Sequence, residues 1–490
     1  MSKPLLCVTV TAPTMAELRR RRDDVVDADL IELRLDSVSD PDVAGALAGR
    51  YRPVIVTCRP KWEGGSFEGA EEDRRRILAD ALALGAEYVD IESRARFDDL
   101  VSHAGGRRVV LSYHDFEGIP ADLAGLVQAM RSTGAEIVKV AVTTERLSDC
   151  VPLLDLGAQM GREAGFVVIG MGPFGLATRV LAGRFGSKWT YAGSERDVGQ
   201  ISAATLLNDY RFRSLTDATD VYGVVGLPVS HSVSPAMHNE AFATLRLDAV
   251  YLPLPAVSAD DFVTFGRALG VKGVSVTIPH KITLFERVDE VDGVARRVGA
   301  INTIRVIDGR WMGGNTDVEG FLRPLVERVD LKGLRASILG SGGGARAVAV
   351  ALSSSGCRVR VHARNRQQAE AMGLVTSAEI GPYPPERGSW DLLVNCTPVG
   401  MYPHVDETPL DADDLTGRCV YDLIYNPTGT RLLREAARAG CQTIGGLEML
   451  VAQAHEQFYW WTGVRPPVSV MREAALKRLA EFMRDEDYVI

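Results

Sequence analysis

Eight short apolar runs constrain the first 215 residues more than any other feature of this chain. They are Leu5–Val10, Leu30–Leu35, Pro53–Cys58, Tyr88–Ile91, Arg108–Tyr113, Ile137–Val142, Phe166–Met171 and Lys188–Ala192, spaced by roughly 20 to 35 residues. The intervals carry helical patterns such as Ala70–Leu84 and Ala121–Thr133. Parallel strands need crossovers of a dozen or more residues, usually helical. Eight regular strand–helix units in about 200 residues therefore predict a (β/α)8 barrel. A doubly wound sheet is the alternative, and the regularity favours closure.

At 490 residues the chain is too long for one core. The polar stretch Ser214–Asp220 reads as a linker, and a new strand, Val221–Gly226, follows it. Residues 221–325 read as a small α/β substrate domain. From Leu334 a Rossmann-type unit begins, with strands at Arg335–Leu339, Arg358–His362, Asp391–Cys396, Val420–Tyr425 and Gln442–Ile444. Helices over Leu447–Trp461 and Ser469–Met483 close it. The expected domains are thus 1–215, 221–325 and 326–490, in an all-α/β chain. A net charge of −9 argues against a general nucleic-acid or membrane binder. The seven dispersed cysteines form no CxxC or Cys/His spacing and read as reduced thiols of a cytoplasmic protein. Neither a leader pattern nor an 18-residue apolar run is evident. A monomer or weak homo-oligomer is expected.

Polar residues interrupt strands that should be continuously apolar if parallel and buried. Lys139 breaks the run Ile137–Val142, and Lys281 follows Val274–His280. Burial disfavours an ammonium and makes an amine a candidate nucleophile or proton carrier. Around Lys139 stand Glu32, Arg34, Arg59, Glu63, His114, Arg179 and Gln200, at or beyond the C-terminal ends of separate strands. That is where barrel enzymes place their chemistry. A lone strand lysine is usually ion-paired or snorkelling, a lone His114 is usually a satisfied core residue, and Glu32 with Arg34 could equally be a structural ion pair. The set together points to catalysis. A lysine can form a Schiff base with a ketone, and the iminium acidifies the adjacent carbon. His114 can take that proton and return it to a leaving hydroxyl, with Glu63 orienting the ring. Arginines can clamp a carboxylate.

The segments ELRLD (32–36), TCRPKWEGG (57–65), SYHDF (112–116), IVKVAV (137–142) and FGSKWTYA (185–192) resemble type I 3-dehydroquinate dehydratase. The resemblance implies an imine on Lys139, a proton shuttle at His114 and an orienting Glu63. It also implies a substrate carboxylate on Arg179, with Glu32, Arg34, Arg59 and Gln200 on or behind the ring hydroxyls. The lid segment departs from the family's Ser-Ala-Pro-Gly-Gln and reads Glu195-Arg196-Asp197-Val198-Gly199-Gln200.

In the Rossmann unit, Gly340, Gly342, Gly343, Gly344 and Ala345 lie between a strand and a helix. Glycines there permit a tight turn and close approach of a pyrophosphate to the helix N-terminus. The next strand ends in His362-Ala363-Arg364-Asn365-Arg366, without the acid that NAD sites place on the ribose. Arg364 and Arg366 suit a 2′-phosphate, so NADP is favoured. The bland alternatives are a merely tight turn and a solvated basic one. Ser232, Ser234, Thr277, Lys281, Asn302 and Asp317 supply hydroxyls, an amide and a Lys/Asp pair suited to protonating a carbonyl oxygen that receives hydride. Each alone has an ordinary structural reading; Ser234-Pro235, for instance, can simply start a helix.

With NCTPVGM (395–401), YDLIYNP (421–427) and GLEMLVAQ (446–453), these motifs resemble shikimate dehydrogenase. The resemblance implies a catalytic Lys281/Asp317 pair. It places Ser232, Ser234, Thr277, Asn302, Tyr425 and Gln453 around the substrate. It also places Asn365, Thr397 and Met449 beside NADP with the glycine turn and Arg364. The family's Asn-Arg-Thr turn is Ala363-Arg364-Asn365 here, and Gln368 replaces a later arginine, so one phosphate contact is either lost or taken over by Arg366. The whole chain resembles a bifunctional dehydroquinate dehydratase–shikimate dehydrogenase. Its implied small molecules are 3-dehydroquinate, 3-dehydroshikimate, shikimate and NADP, and it needs no metal. The alternatives are a second domain that oxidises quinate with NAD, and a domain that binds these ligands without catalysis.

Overall fold

The computed structural model describes residues 3–161, 165–194, 198–482 and 484. Eight parallel strands occupy the first unit: β1 Leu5–Val10, β2 Leu30–Arg34, β3 Val54–Thr57, β4 Tyr88–Glu92, β5 Val109–Asp115, β6 Ile137–Thr143, β7 Phe166–Met171 and β8 Trp189–Ala192. They hydrogen-bond in the order β7-β6-β5-β4-β3-β2-β1-β8. At the seam between β7 and β8, Lys188 N donates to Phe166 O at 2.8 Å, and Val168 N donates to Ser187 Oγ at 3.0 Å. The expected barrel is therefore present, with every strand within two residues of its expected ends.

Side chains alternate across each strand. The inward faces carry Leu30, Ile55, Val110, Ile137, Val167 and Trp189, which pack as one apolar cluster. Ala141 belongs to the same cluster, so Lys139, midway between Ile137 and Ala141 on β6, shares their inward face. The polar residues two positions beyond the apolar ones, such as Glu32 after Leu30 and Ser112 after Val110, fall on the same faces. An apolar tier thus carries a polar one, and the strand period alone raises the functional side chains to the C-terminal end.

The stretch read as a linker is an ordered turn. Thr219 is fully buried, its hydroxyl accepts from Thr216 N at 2.8 Å, and its carbonyl accepts from the Arg184 guanidinium. A polar sequence without periodicity does not distinguish a loose tether from a turn whose polar groups bond one another.

The second unit holds two sheets. One contains β9 Asp220–Gly226, β10 Ala249–Pro255, β11 Gly273–Val276, β12 Glu290–Val291, β13 Thr303–Ile307 and β14 Arg310–Gly314, in the order β10-β9-β11-β13-β14-β12. Asp308 and Gly309, both at positive φ, make the two-residue turn of the β13–β14 hairpin. The other contains β15 Arg335–Leu339, β16 Arg358–His362, β17 Glu379–Ile380, β18 Leu392–Asn395, β19 Cys419–Asp422 and β20 Gln442–Ile444, all parallel, in the order β17-β16-β15-β18-β19-β20. That is the 3-2-1-4-5-6 order of a dinucleotide-binding fold. The two-residue edge strand β17 was not expected, being too short to show a period.

By compactness the units are 1–219 with 255–257 and 261–269, and 220–254 with 258–260 and 270–490. The expected boundary after residue 325 cuts the last turn of helix Asp317–Val326, whose Phe321 and Leu325 pack into the Rossmann core. Helix Gly446–Thr462 serves both sheets. Met449 enters the Rossmann core, while Leu447, Val451, Ala454, Phe458 and Trp461 enter the core over β9 and β10, joined by Met471 and Leu479 of helix Val468–Phe482. A helix apolar on several faces is buried on several faces.

Candidate active sites

Glu32, Arg34, Arg59, Glu63, His114, Lys139, Arg179 and Gln200 line a single pocket of about 600 Å³, including its open mouth. Lys139 Nζ donates to Asp90 Oδ2 at 3.0 Å, lies 3.6 Å from Glu32 Oε1, and sits 4.4 Å from the centre of the Tyr191 ring. Glu32 accepts from Thr9 Oγ1 at 2.8 Å and Thr57 Oγ1 at 2.9 Å. Arg59 pairs with Asp90 at 3.0 Å and Glu92 at 2.7 Å, and also donates to Ser112 Oγ at 2.8 Å. The Ser112 hydroxyl donates to Asp90 Oδ1 at 2.5 Å. Arg34 grips Asp36 with two bonds of 2.9 and 2.8 Å, so the structural pair it forms is with Asp36, not with Glu32. Glu32 is left facing the lysine.

His114 is held twice by one carboxylate oxygen. Glu63 Oε1 accepts from the His114 backbone N–H at 3.0 Å and lies 3.1 Å from Nδ1. Burial, reinforced by Arg59 and Lys139, drives the imidazole well below its ordinary pKa, so it rests neutral and ready to accept a proton. Burial pushes Glu63 up to about 7 despite the pull of Arg59. Burial alone would raise Asp90 as well, but Arg59 and then Lys139 reverse it and hold Asp90 below the usual carboxylate range.

Arg179 differs from the other cations of the pocket. It is buried, yet among the described residues it faces no carboxylate. Its Nη2 donates to Val198 O at 2.9 Å and its Nη1 to Tyr191 O at 3.4 Å. Burial pushes its pKa down to about 10. Arg179 Nε and Glu63 Oε2 are buried polar atoms with no hydrogen-bond partner among the described residues, and both residues line the pocket. A buried guanidinium that meets only backbone carbonyls among the described residues can still pair with a carboxylate of a ligand. Glu195, Arg196 and Asp197 of the altered lid lie outside the described residues; Gln200 is in the lining.

In the second unit Lys281 Nζ donates to Asp317 Oδ2 at 2.5 Å, and Asn302 Nδ2 donates to Asp317 Oδ1 at 2.7 Å. Asp317 opens helix Asp317–Val326, and Gly320 one turn later lets helix Gly446–Thr462 approach closely: a Cβ there would stand 2.6 Å from Gln453 Cβ. That contact brings Gln453 beside Asn302, with Gln453 Oε1 3.4 Å from Asn302 Nδ2. Thr277 packs against Gly226, where a Cβ would meet its methyl at 2.4 Å. Ser232 Oγ accepts from Ser234 N at 3.2 Å, and Ser234 is buried at the start of helix Ser234–Thr244. Tyr425 is half-buried after β19.

The glycine turn has the shape a phosphate needs. Gly340 takes φ +106°, and a Cβ on Gly342 or Gly344 would meet nothing within 4 Å, so the backbone is open to a ligand. Gly342 caps helix Gly343–Ser354, and Gly343 lies against the Lys281 side chain, 3.2 Å from its Cδ to a built Cβ. The turn therefore abuts the Lys281/Asp317 pair. At the end of β16, His362 is buried between Ser337 Oγ at 3.0 Å and Pro382 O at 2.5 Å. Arg364 is exposed, with no carboxylate partner among the described residues.

Comparison with known proteins agrees with this division. The family model of type I 3-dehydroquinase matches residues 6–217. The model of the shikimate dehydrogenase substrate binding domain matches 224–304, and that of the shikimate 5'-dehydrogenase C-terminal domain matches 446–476. A chloroplastic bifunctional 3-dehydroquinate dehydratase/shikimate dehydrogenase of Arabidopsis thaliana is 34% identical over 502 residues, covering 94% of this chain and 83% of the relative. The chain belongs to this bifunctional family. Its dehydrogenase half is 44% identical to a shikimate dehydrogenase (NADP(+)) of Methanothermobacter thermautotrophicus, over 54% of this chain and 98% of that one. It also matches the crystal structure of a shikimate dehydrogenase in complex with NADP+, at 36% identity and a TM-score of 0.52, covering 54% of this chain and 97% of that one.

Several residues expected beside NADP also have structural partners within the Rossmann unit. The Asn365 side chain caps helix Arg366–Thr376 by accepting from Gln368 N, and Arg366 pairs with Glu370 at 2.9 Å along that helix. Arg364 is thus the arginine of that turn left open to a ligand. Met449 is buried in the Rossmann core, and the Thr397 hydroxyl donates to Asn395 Oδ1 at 2.7 Å. Asp90, Glu92 and Ser112 of the dehydratase half were missed, although Asp90 interrupts the fourth apolar run just as Lys139 interrupts the sixth, and Glu92 directly follows that run. Both lysines face a carboxylate, Lys139 that of Asp90 and Lys281 that of Asp317.

Proposed function

We propose that the dehydratase half converts 3-dehydroquinate to 3-dehydroshikimate through an imine on Lys139, and that the dehydrogenase half reduces 3-dehydroshikimate to shikimate with NADPH. The observation that carries the first step is the pocket's combination of a lysine, a neutral histidine and a buried arginine that faces no carboxylate among the described residues. Arg179 takes the substrate carboxylate, which supplies the missing charge. Lys139 attacks the ketone and releases water, and the iminium withdraws electrons from the neighbouring carbon. His114, aimed by Glu63, removes a proton from that carbon. The C–O bond of the departing hydroxyl breaks as the oxygen takes the proton from His114, and a second water then frees Lys139. Glu32, Arg34, Arg59 and Gln200 line the ring, and Asp90 holds both Lys139 and Arg59 in place.

In the dehydrogenase half, the open glycine turn and the acid-free end of β16 fit NADP, with Arg364 toward the 2′-phosphate and Thr397 near the turn. NADPH, when bound, supplies the hydride. Lys281 holds a proton at the carbonyl oxygen, and Asp317 keeps the ammonium oriented through its 2.5 Å bond. Ser232, Ser234, Thr277, Asn302, Tyr425 and Gln453 surround the ring hydroxyls and carboxylate. The seven free thiols suit a reducing compartment, the cytoplasm in our reading, and no described helix is long and apolar enough to cross a membrane.

Borohydride reduction in the presence of 3-dehydroquinate tests the central step. One stable adduct on the peptide carrying Lys139, absent in K139M, is expected. Inactivation without an adduct, or an adduct elsewhere, would remove the Schiff-base reading.

A further inference from the structure

A buried hydrogen-bond chain behind the dehydrogenase site has a fixed direction. The Tyr251 hydroxyl donates to Ser275 Oγ at 2.6 Å, and Ser275 Oγ donates to Gln457 Oε1 at 2.5 Å. Gln457 Nε2 donates onward to the Asn302 backbone carbonyl at 3.1 Å and to Gln453 Oε1 at 2.7 Å. All three donors are buried: Tyr251 and Gln457 are 0% and 1% exposed, and Ser275 is 8%. None of the three is among the residues to which the proposed reaction assigns a role.

The chemistry of the partners leaves one arrangement. A backbone carbonyl only accepts, so the Asn302 carbonyl requires the nitrogen of Gln457 on its side. The oxygen of Gln457 must then face Ser275, whose single proton goes to it while a lone pair takes the proton of Tyr251. With the Gln457 nitrogen turned toward Gln453, Gln453 must answer with its oxygen. Its own Nε2 spends one N–H on the Leu450 carbonyl at 2.8 Å, which leaves the second N–H uncommitted. A buried amide facing the wrong way would set two acceptors or two donors against each other, which is costly.

We infer that Tyr251, Ser275 and Gln457 are positioning residues that lock the Gln453 amide with its nitrogen toward the substrate. Gln453 then offers an N–H and selects a ligand oxygen that can accept at that point. The inference rests on the reading of Gln453 as a substrate ligand. In the proposed reaction the catalytic proton is held by Lys281, oriented by Asp317, so the relay governs substrate affinity more than turnover.

A double-mutant cycle on the full chain tests it. Q457M removes the donor to Gln453 at similar volume. In the otherwise wild-type chain it is expected to raise the KM for shikimate roughly tenfold and to change kcat by less than about threefold. In a Q453M background, where no amide remains to be oriented, the same Q457M change is expected to alter KM by less than about twofold. Dehydratase activity and the KM for NADP+ serve as folding controls. Should Q457M lose NADP+ binding, S275A carries the same cycle, because it strips the proton that holds the Gln457 oxygen. An unchanged shikimate KM in Q457M, or equal effects in both backgrounds, overturns the relay while leaving Gln453 a ligand. An unchanged KM in Q453M alone removes Gln453 from the substrate site and the inference with it.

Discussion

Replacing Arg179 by methionine should stabilise the dehydratase barrel while disabling it. The guanidinium is 2% exposed and touches two backbone carbonyls but, among the described residues, no carboxylate. Its displacement to about 10 means that the native state resists the charge. At about 1.4 kcal/mol per decade this is a cost on the order of 3 kcal/mol. The guanidinium stays protonated in proteins, so the cost is present across the working pH range. Methionine fills similar space without charge but forfeits two hydrogen bonds, which together contribute about 1–2 kcal/mol. The net expectation is a gain of about 1–2 kcal/mol, or a rise of roughly 2–8 °C in the barrel's melting temperature. Calorimetry of the full chain can report it, because the barrel's transition is the one that 3-dehydroquinate raises and NADP+ does not. Dehydratase kcat/KM should fall at least about 100-fold, as for loss of a buried charge partner. A variant that melts earlier than wild type and binds substrate normally would refute the argument that this charge is held in reserve for a ligand.

Two further outcomes follow from the sites. Glu63 must be ionised to hold His114, and burial places its titration at about 7, so dehydratase kcat/KM should rise as pH passes upward through about 7, and E63Q should lose that inflection; a pH–rate profile of both proteins checks this. Replacing Arg364 by alanine should raise the KM for NADPH roughly 5- to 30-fold, as for one charge-assisted contact, and leave that for NADH little changed; steady-state comparison of the two cofactors reads the difference.

Much of the dehydratase site was legible because a parallel barrel strand has few reasons to carry a charge inward. Lys139, Glu32 and His114 stood out against apolar neighbours, and the period of two assigned them one face. Asp90 met the same criterion but was passed over, since a run of four residues with an acid inside it and Glu92 just after it reads as a strand terminus. In the dehydrogenase half the glycine turn and the Lys281/Asp317 pair were legible as types. The Asn365 cap was not, because an asparagine before a helix and an asparagine beside a phosphate are the same letter.

The amino-acid sequence by itself determined the strand–helix rhythm, the barrel and dinucleotide-binding classes, and which side chains had no apolar reason to be where they are. Those follow from local periodicity and from the cost of burying charge. Only the tertiary structure decided the pairings: that Arg34 answers Asp36, that Asp90 joins Lys139 to Arg59, that Arg179 meets two backbone carbonyls and no carboxylate among the described residues, and that Gln457 donates to Gln453. Such choices depend on distances between residues far apart in the chain, where a shift of one hydrogen-bond length changes a partner. No local pattern encodes them.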